Sequence, residues 1–302
     1  MSAISDKIKK RWDAYQGRGW ATNVLLAVVF VLFFVYALTL LYPFLWAFLN
    51  SLKTNPEYWA DPFSLPKEWR FDNYLLAFSE LSVAKTDPTK RANLLEMLFN
   101  SVWFTFGSTF LNVACSAMIA YALSKYKFRG SGLIYGLAIF TMMIPIVGSL
   151  PAMYKLVYSL HIDNSPLFLV TACGGFGFTF IVLYGFFKNV SWSYAEAAFI
   201  DGAGNWRVFL SIMIPQARAA LLSVFIVTTI DRWNDYMTPL LYLKDFPTLS
   251  TGLFVFKQSS AAGNNEPVYL GAMLMSVLPI VVIFIVFQNT IMDNMVAGGL
   301  KG

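Results

Sequence analysis

The chain has 302 residues, of which 57% are hydrophobic and only 13% charged, and a positive mean hydropathy. A soluble domain carries about a quarter charged residues, so the composition excludes an ordinary soluble enzyme and points to a polytopic membrane protein. The net charge of +5 matters less than where the charges sit.

The N-terminus carries Lys7, Lys9, Lys10, Arg11 and Arg18 ahead of the first apolar run. That run, Trp20 to Leu49, is far longer than the roughly 7–15 residues of a signal-peptide core, and reads as an uncleaved first helix. About 20 apolar residues cross the hydrocarbon core. Six segments reach that length: 22–49, 97–124, 131–154, 165–187, 219–242 and 268–292. Pro145 and Pro151 interrupt the third and Pro279 the sixth, a tolerated feature of membrane helices. Lys125, Lys127 and Arg129 in the second connection, with Lys188, Arg207 and Arg218 in the fourth, place those loops and both termini in the cytoplasm by the positive-inside rule.

The outer connection at 50–96, with Pro62, Pro66 and Pro88, reads as a small extramembrane element. The outer connection at 243–267 combines a strand-like apolar piece, Leu253 to Phe256, with a Ser/Gly/Asn tip. Gly174, Gly175 and Gly177 lie in a membrane segment and read as small residues for close helix packing.

No G-x-x-x-x-G-K-[ST] phosphate loop occurs, and no His–carboxylate pair or nucleophile elbow stands out. Cys115 and Cys173 fall in apolar runs, and His161 is the only histidine, so neither a disulfide framework nor a multi-histidine metal site is available. The ionisable residues within an apolar segment are Asp231, Arg232 and Asp235. Asp231 is 13 residues past Arg218, roughly 20 Å along a helix, in the outer half of the membrane. Spacing puts Asp231 and Asp235 on one helix face and Arg232 within pairing reach. The cluster, with Asn234, reads either as an interfacial ion pair, as the lining of a pathway mouth, or as a proton relay.

The most informative segment is the inner connection Glu196–Pro215, EAAFIDGAGNWRVFLSIMIP. Its alanines favour helix, Gly202 and Gly204 interrupt it, and Pro215 ends it. Two short helices with a bend are expected, with Phe199, Trp206, Leu210 and Met213 as the buried face. By composition, such an element either docks in a partner's groove or lies on the membrane surface.

The segment resembles the E-A-A, three residues, G, nine residues, I-x-L-P motif of binding-protein-dependent ABC importer permeases. The chain has Glu196-Ala197-Ala198, Gly202 and Ile212-x-Ile214-Pro215, with isoleucine in place of the usual leucine. Asn100-Ser101-Val102, Ala120-Tyr121-Ala122, Lys125 to Gly130, Trp233-Asn234-Asp235 and the tail Ala297 to Gly302 are similar to the carbohydrate subfamily, on its maltose-type, MalG-like side.

The resemblance implies an all-α polytopic protein of six transmembrane helices with the type I importer (MetI-like) fold. Residues 1–20 would form a cytoplasmic segment, 21–294 the permease domain with its coupling loop at 189–217, and 295–302 a cytoplasmic tail. The chain would be a non-enzymatic permease subunit of a sugar importer in a bacterial or archaeal cell membrane. It would hold no cofactor; ATP and Mg would belong to a partner ATPase.

The further partners so implied are a second, MalF-like permease, a cytoplasmic ATPase dimer, an extracytoplasmic sugar-binding protein and membrane lipid, with no nucleic acid. Glu196, Ala197, Ala198, Asp201 and Gly202 would couple to the ATPase. Gly298, Gly299, Lys301 and Gly302 would reach its interface. Leu249, Gly252, Lys257 and Asn264 would face the binding protein, and Asp231, Arg232, Asn234 and Asp235 would line an outer gate. The rival reading is a self-sufficient secondary carrier or channel using Asp231 and Asp235.

Overall fold

The computed structural model describes residues 19–143, 149–174, 176–258 and 265–299. A first helix, α1, runs Trp20–Ser51. Its side chains are almost all exposed over their first six turns, as an apolar helix facing lipid or another subunit must be. Two short helices, α2 (Asn55–Ala60) and α3 (Asp72–Glu80), and a ribbon pairing β1 (Val83–Ala84) with β2 (Arg91–Ala92) fill the 50–96 connection. The ribbon is too short for an alternation signal in the sequence. The fully buried Lys53 steadies this element: its Nζ donates to Asp61 O at 2.9 Å and lies 3.4 Å from Ser64 Oγ.

The long helix α4, Leu94–Lys125, is the spine. Asn93 caps it by accepting from the Glu96 amide at 2.9 Å, and Glu96 complements the first-turn dipole. One face of α4 is small and hydroxylated: Asn100, Ser101, Thr105, Ser108, Thr109 and Ser116 are all buried. Such faces let membrane helices approach closely without bulky apolar packing.

Helices α5 (Ser131–Met143) and α6 (Ser149–Ser159) follow, then a 3-10 helix, Pro166–Cys173, and α7 (Phe178–Asn189). Next come α8 (Ser193–Ile200) and α9 (Asn205–Gln216), then α10 (Arg218–Asn234) and α11 (Met237–Tyr242). The last helices are α12 (Leu249–Gln258) and α13 (Glu266–Gly299). The spine packs against α7, α10, α12 and the 3-10 helix, while α1 rests on α13.

Among the described residues, three helices are long and apolar enough to cross a membrane unbroken: α1, α4 and α13. Two bent pairs pass the same test: the 3-10 helix with α7, at 51°, and α9 with α10, at 77°. Helix α5 is apolar but shorter, and the third expected segment includes residues 144–148, outside the described set. The expected all-α architecture is therefore observed; the fourth apolar stretch is broken at its glycines, while Pro279 leaves α13 continuous.

The strand-like piece Leu253–Phe256 is helical, inside α12. Its four apolar residues are continuous with Leu249 on the same helix, and Leu249, Thr251, Gly252 and Phe256 are buried against neighbouring elements. Tertiary packing overrides the local β-preference of the run. Gly252 is where α12 meets the spine: a Cβ there would stand 2.5 Å from Met97 Sδ.

A polar clasp joins three connections at this end. Asp245 Oδ1 accepts from the Thr86 amide (2.8 Å) and Oδ2 from Asn164 Nδ2 (2.5 Å), while the Asp245 amide donates to Asn164 Oδ1 (2.7 Å). Partial burial pushes the Asp245 carboxyl up, but the bonds from Thr86 and Asn164 and the charge of Lys85 outweigh it and hold the group below its ordinary range.

Two measurements check this packing. Gly252→Val is expected to cost about 1–3 kcal/mol through overpacking, and Met97→Ala to recover part of that loss in the double variant, read as non-additive melting temperatures in detergent. The Asp245 contribution, from a depressed pKa, is complete above the unfolded value of about 3.9 and drains away as pH falls through the lower folded value. The melting-temperature gap between wild type and Asp245→Ala is therefore expected to hold steady from neutral pH down to about 5 and to close in stronger acid.

Candidate functional site

Two regions combine exposure, polarity and position. The first lies at the end of the spine where α4 terminates. Helix α8 buries Ala195 and Ala198 and turns Glu196 and Ala197 outward. The three-residue spacing of the two buried alanines places one small-residue face on the body of the protein. Asp201 caps the C-terminus of α8, and Gly202 follows with φ +79°. The Gly202 amide donates to Phe199 O (3.0 Å) and the Ala203 amide to Ala198 O (2.9 Å). This is a Schellman turn, whose left-handed position favours glycine. The motif's glycine thus has a backbone reason: it closes α8 and lets α9 start three residues later, at Asn205.

The side chains expected to form the buried face divide. Met213 is fully buried and Phe199 partly so, but Trp206 and Leu210 are 67% and 58% exposed. Val208 and Phe209 take the inner positions instead. Two features shift the periodicity: the break at Gly202–Gly204, and a π-helical turn over Phe209–Met213 that adds a residue to the helical repeat.

The spine holds this segment firmly. Lys125 Nζ donates to Val190 O (2.5 Å), and Tyr126 Oη donates to Asn205 Oδ1 (3.0 Å). The Tyr126 ring stands edge-on to Trp192 with centroids 5.8 Å apart, and Tyr121 meets Phe209 at 5.0 Å and Phe187 at 5.7 Å. The sequence marks Lys125 as a positive charge and Lys125 to Gly130 as a stretch of family resemblance, but does not announce Lys125 and Tyr126 as contacts to this segment. Ile200, 86% exposed beside Glu196, is also missing from the expected contacts. The signal was present: Ile200 is four residues from Glu196 and off the Ala195–Ala198 face.

The second region is a cavity of about 520 Å³ between α4, the 3-10 helix, α7 and α10. Asp231 and Arg232 line it, with Asn112, Thr179 and Thr228. Arg232 Nη1 lies 3.8 Å from Asp235 Oδ2. Asp235, however, does not continue the face of Asp231. Helix α10 ends at Asn234, and Asp235 Oδ1 instead accepts from the Thr238 amide (2.9 Å), capping α11. Asn234 is exposed and donates to Ile230 O (2.8 Å). The expected cluster is thus one ion pair, one helix cap and one carboxylate, Asp231, directed at a cavity.

The remaining expected residues are spread out. Leu249 and Gly252 lie on the buried face of α12, Lys257 is exposed and paired with Glu266 (2.5 Å), and Asn264 lies outside the described residues. Gly298 and Gly299 fall in the last turn of α13, while Lys301 and Gly302 lie outside the described residues. Among the described residues no group of three or more His, Cys, Asp or Glu side chains could hold a metal ion.

Comparison with known proteins bears on the family and the fold. The chain is similar to the diacetylchitobiose uptake system permease protein NgcG of Streptomyces coelicolor, 28% identical over 279 residues, covering 91% of this chain and 89% of that one. It is also similar to the arabinooligosaccharides transport system permease protein AraQ of Bacillus subtilis, 27% identical over 278 residues, with 89% and 94% covered. Its fold matches a chain in the crystal structure of a bacterial ABC transporter involved in the import of the acidic polysaccharide alginate, with a TM-score of 0.72 at 23% identity over 90% of this chain and 98% of that one. Residues 112–294, which include the Glu196–Pro215 segment and the cavity on α10, match the family of binding-protein-dependent transport system inner membrane components, and the chain belongs to that family.

Proposed function

We propose that this chain is a permease subunit of an ATP-driven importer for oligosaccharides, and that α8 is its coupling helix. The observation that carries the reading is the exposed Glu196–Gly202 edge, closed by a Schellman turn and bolted to the end of the membrane-length spine. A rigid, exposed element at the end of a long helix can transmit a push along that helix.

In this reading the end bearing α8 faces the cytoplasm, as its basic loops suggest. A separate ATPase dimer supplies ATP and Mg and receives Glu196 and Ile200 in a cleft. Gly298 to Gly302 extend toward its interface. A second permease chain completes the pathway, covering apolar surface that includes α1. An extracytoplasmic binding protein delivers sugar to the opposite end, where Lys257 is the exposed member of the expected contact set. The named substrates of the relatives are oligosaccharides, which supports that substrate class here. Family membership weighs against the rival self-sufficient carrier.

The reading makes Glu196 and Gly202 essential for different reasons. With the other subunits present, Glu196→Lys is expected to reduce ATP-dependent uptake at least about tenfold by placing the wrong charge at a docking contact, with the protein still in the membrane. Gly202→Val is expected to cost about 1–2 kcal/mol by forcing a β-branched residue into the left-handed region, and to loosen the ATPase from the purified complex. Normal uptake by both variants would contradict the coupling role. Ile200→Asp tests the apolar part of the contact: ATPase co-purification is expected to fall about tenfold, and unchanged co-purification would remove Ile200 from the interface.

A further inference from the structure

The fourth apolar stretch does not cross as one helix. The 3-10 helix ends at Cys173, the chain passes through Gly174, Phe176 and Gly177, and α7 begins at Phe178. At membrane depth, non-helical backbone persists only where protein or a water-filled cavity satisfies its polar groups. Here it borders the 520 Å³ cavity. Hydrogen bonds tie the walls: Asn112 Nδ2 donates to Ala172 O at 3.3 Å, and the hydroxyls of Thr179 and Thr228 stand 3.4 Å apart.

The charged groups at this cavity are not balanced. Arg232 faces Asp235 at 3.8 Å, and its buried Nε has no hydrogen-bond partner among the described residues. Asp231 is exposed toward the cavity and has no ion-pair partner among the described residues. A carboxylate held within a membrane-spanning helix is costly and marks a pathway. Phe176 and Phe178, 46% and 61% exposed, line the same cavity.

We propose that this cavity is one half of a saccharide site, completed by the partner permease, in which Asp231 accepts hydroxyl hydrogens of a charge-neutral oligosaccharide. The inference rests on the importer function proposed above. A carboxylate accepts two hydroxyls in charge-assisted hydrogen bonds, and the C–H face of a pyranose ring packs on an aromatic face such as Phe176 or Phe178. Arg232 is paired with Asp235, which leaves Asp231, among the described residues, as the unpaired charge lining the cavity, so the excess charge there is negative and disfavours a uronate. The amide of Asn112 and the hydroxyls of Thr179 and Thr228, which line the cavity, supply the complementary donors for ring and hydroxyl oxygens.

The test uses the whole importer, with this chain, its partner permease, ATPase and binding protein, in proteoliposomes. The neutral probes are raffinose, arabinotriose and diacetylchitobiose; the acidic probe is trigalacturonate. The readout is sugar imported per ATP hydrolysed, which separates a lost sugar contact from a lost assembly. A neutral probe is expected to be imported in preference to trigalacturonate. Asp231→Asn is expected to lower that ratio about tenfold, the loss of one charge-assisted hydrogen bond, and Asp231→Glu to recover most of it. An unchanged ratio in Asp231→Asn, with uptake still ATP-dependent, would overturn the half-site and leave the importer function standing. Preference for trigalacturonate would overturn the neutral class. Uptake by this chain without the ATPase would overturn the importer function and the half-site with it.

Discussion

The contact between the last turn of α4 and the loop that follows α7 is the constraint on which the rest depends. A helix of 32 residues spans about 48 Å at 1.5 Å per residue, so its two ends lie on opposite sides of any membrane it crosses. Lys125, Tyr126 and Tyr121 fix one end to Val190, Asn205, Trp192 and Phe209. At the other end Asn100 Nδ2 donates to Pro247 O (3.1 Å), and Ser101 Oγ accepts from the Leu249 amide (2.8 Å). Displacement of α8 therefore has a continuous, packed path to the opposite loops. The aromatic contacts at the α8 end are apolar and close-packed, and packed interiors transmit displacement because they compress little.

The middle of the molecule is built differently from its ends. Along α4 buried serine, threonine and asparagine alternate with apolar residues such as Phe104, Val113 and Ala117, and the small polar side chains permit close helix approach. The fourth span is broken beside the polar cavity. A firm grip at each end with a polar cavity between them suits alternating access: two states differing by a few kcal/mol, which a partner's ligands can tip.

Much of this is legible in the sequence, for identifiable reasons. The bend in the inner loop follows from Gly202, because the left-handed position of a Schellman turn excludes most other residues. The spine is visible as the membrane-length apolar run 97–124, whereas its Asn93 cap emerges only in the structure. What is hidden depends on contacts between distant segments. Trp206 and Leu210 fit a helical repeat with Phe199, yet the π turn at Phe209–Met213 rotates them outward, and no local signal announces it. Leu253–Phe256 reads as strand because its residues are apolar and bulky, but burial under Met97 and Trp233 makes it helix. Asp235 looks like the i+4 partner of Asp231 until α10 ends one residue earlier. The cavity combines residues from four elements, a convergence that no linear spacing encodes.

The most direct test of the central claim is site-specific photo-crosslinking in the assembled complex. A photo-crosslinking amino acid at Ala197, on the exposed edge of α8, is expected to give a single protein adduct with the ATPase subunit. The same group at Leu133, an exposed apolar position on α5, is expected to give none with that subunit. Adducts from Ala197 to lipid alone, with the ATPase bound to the complex, would contradict the account.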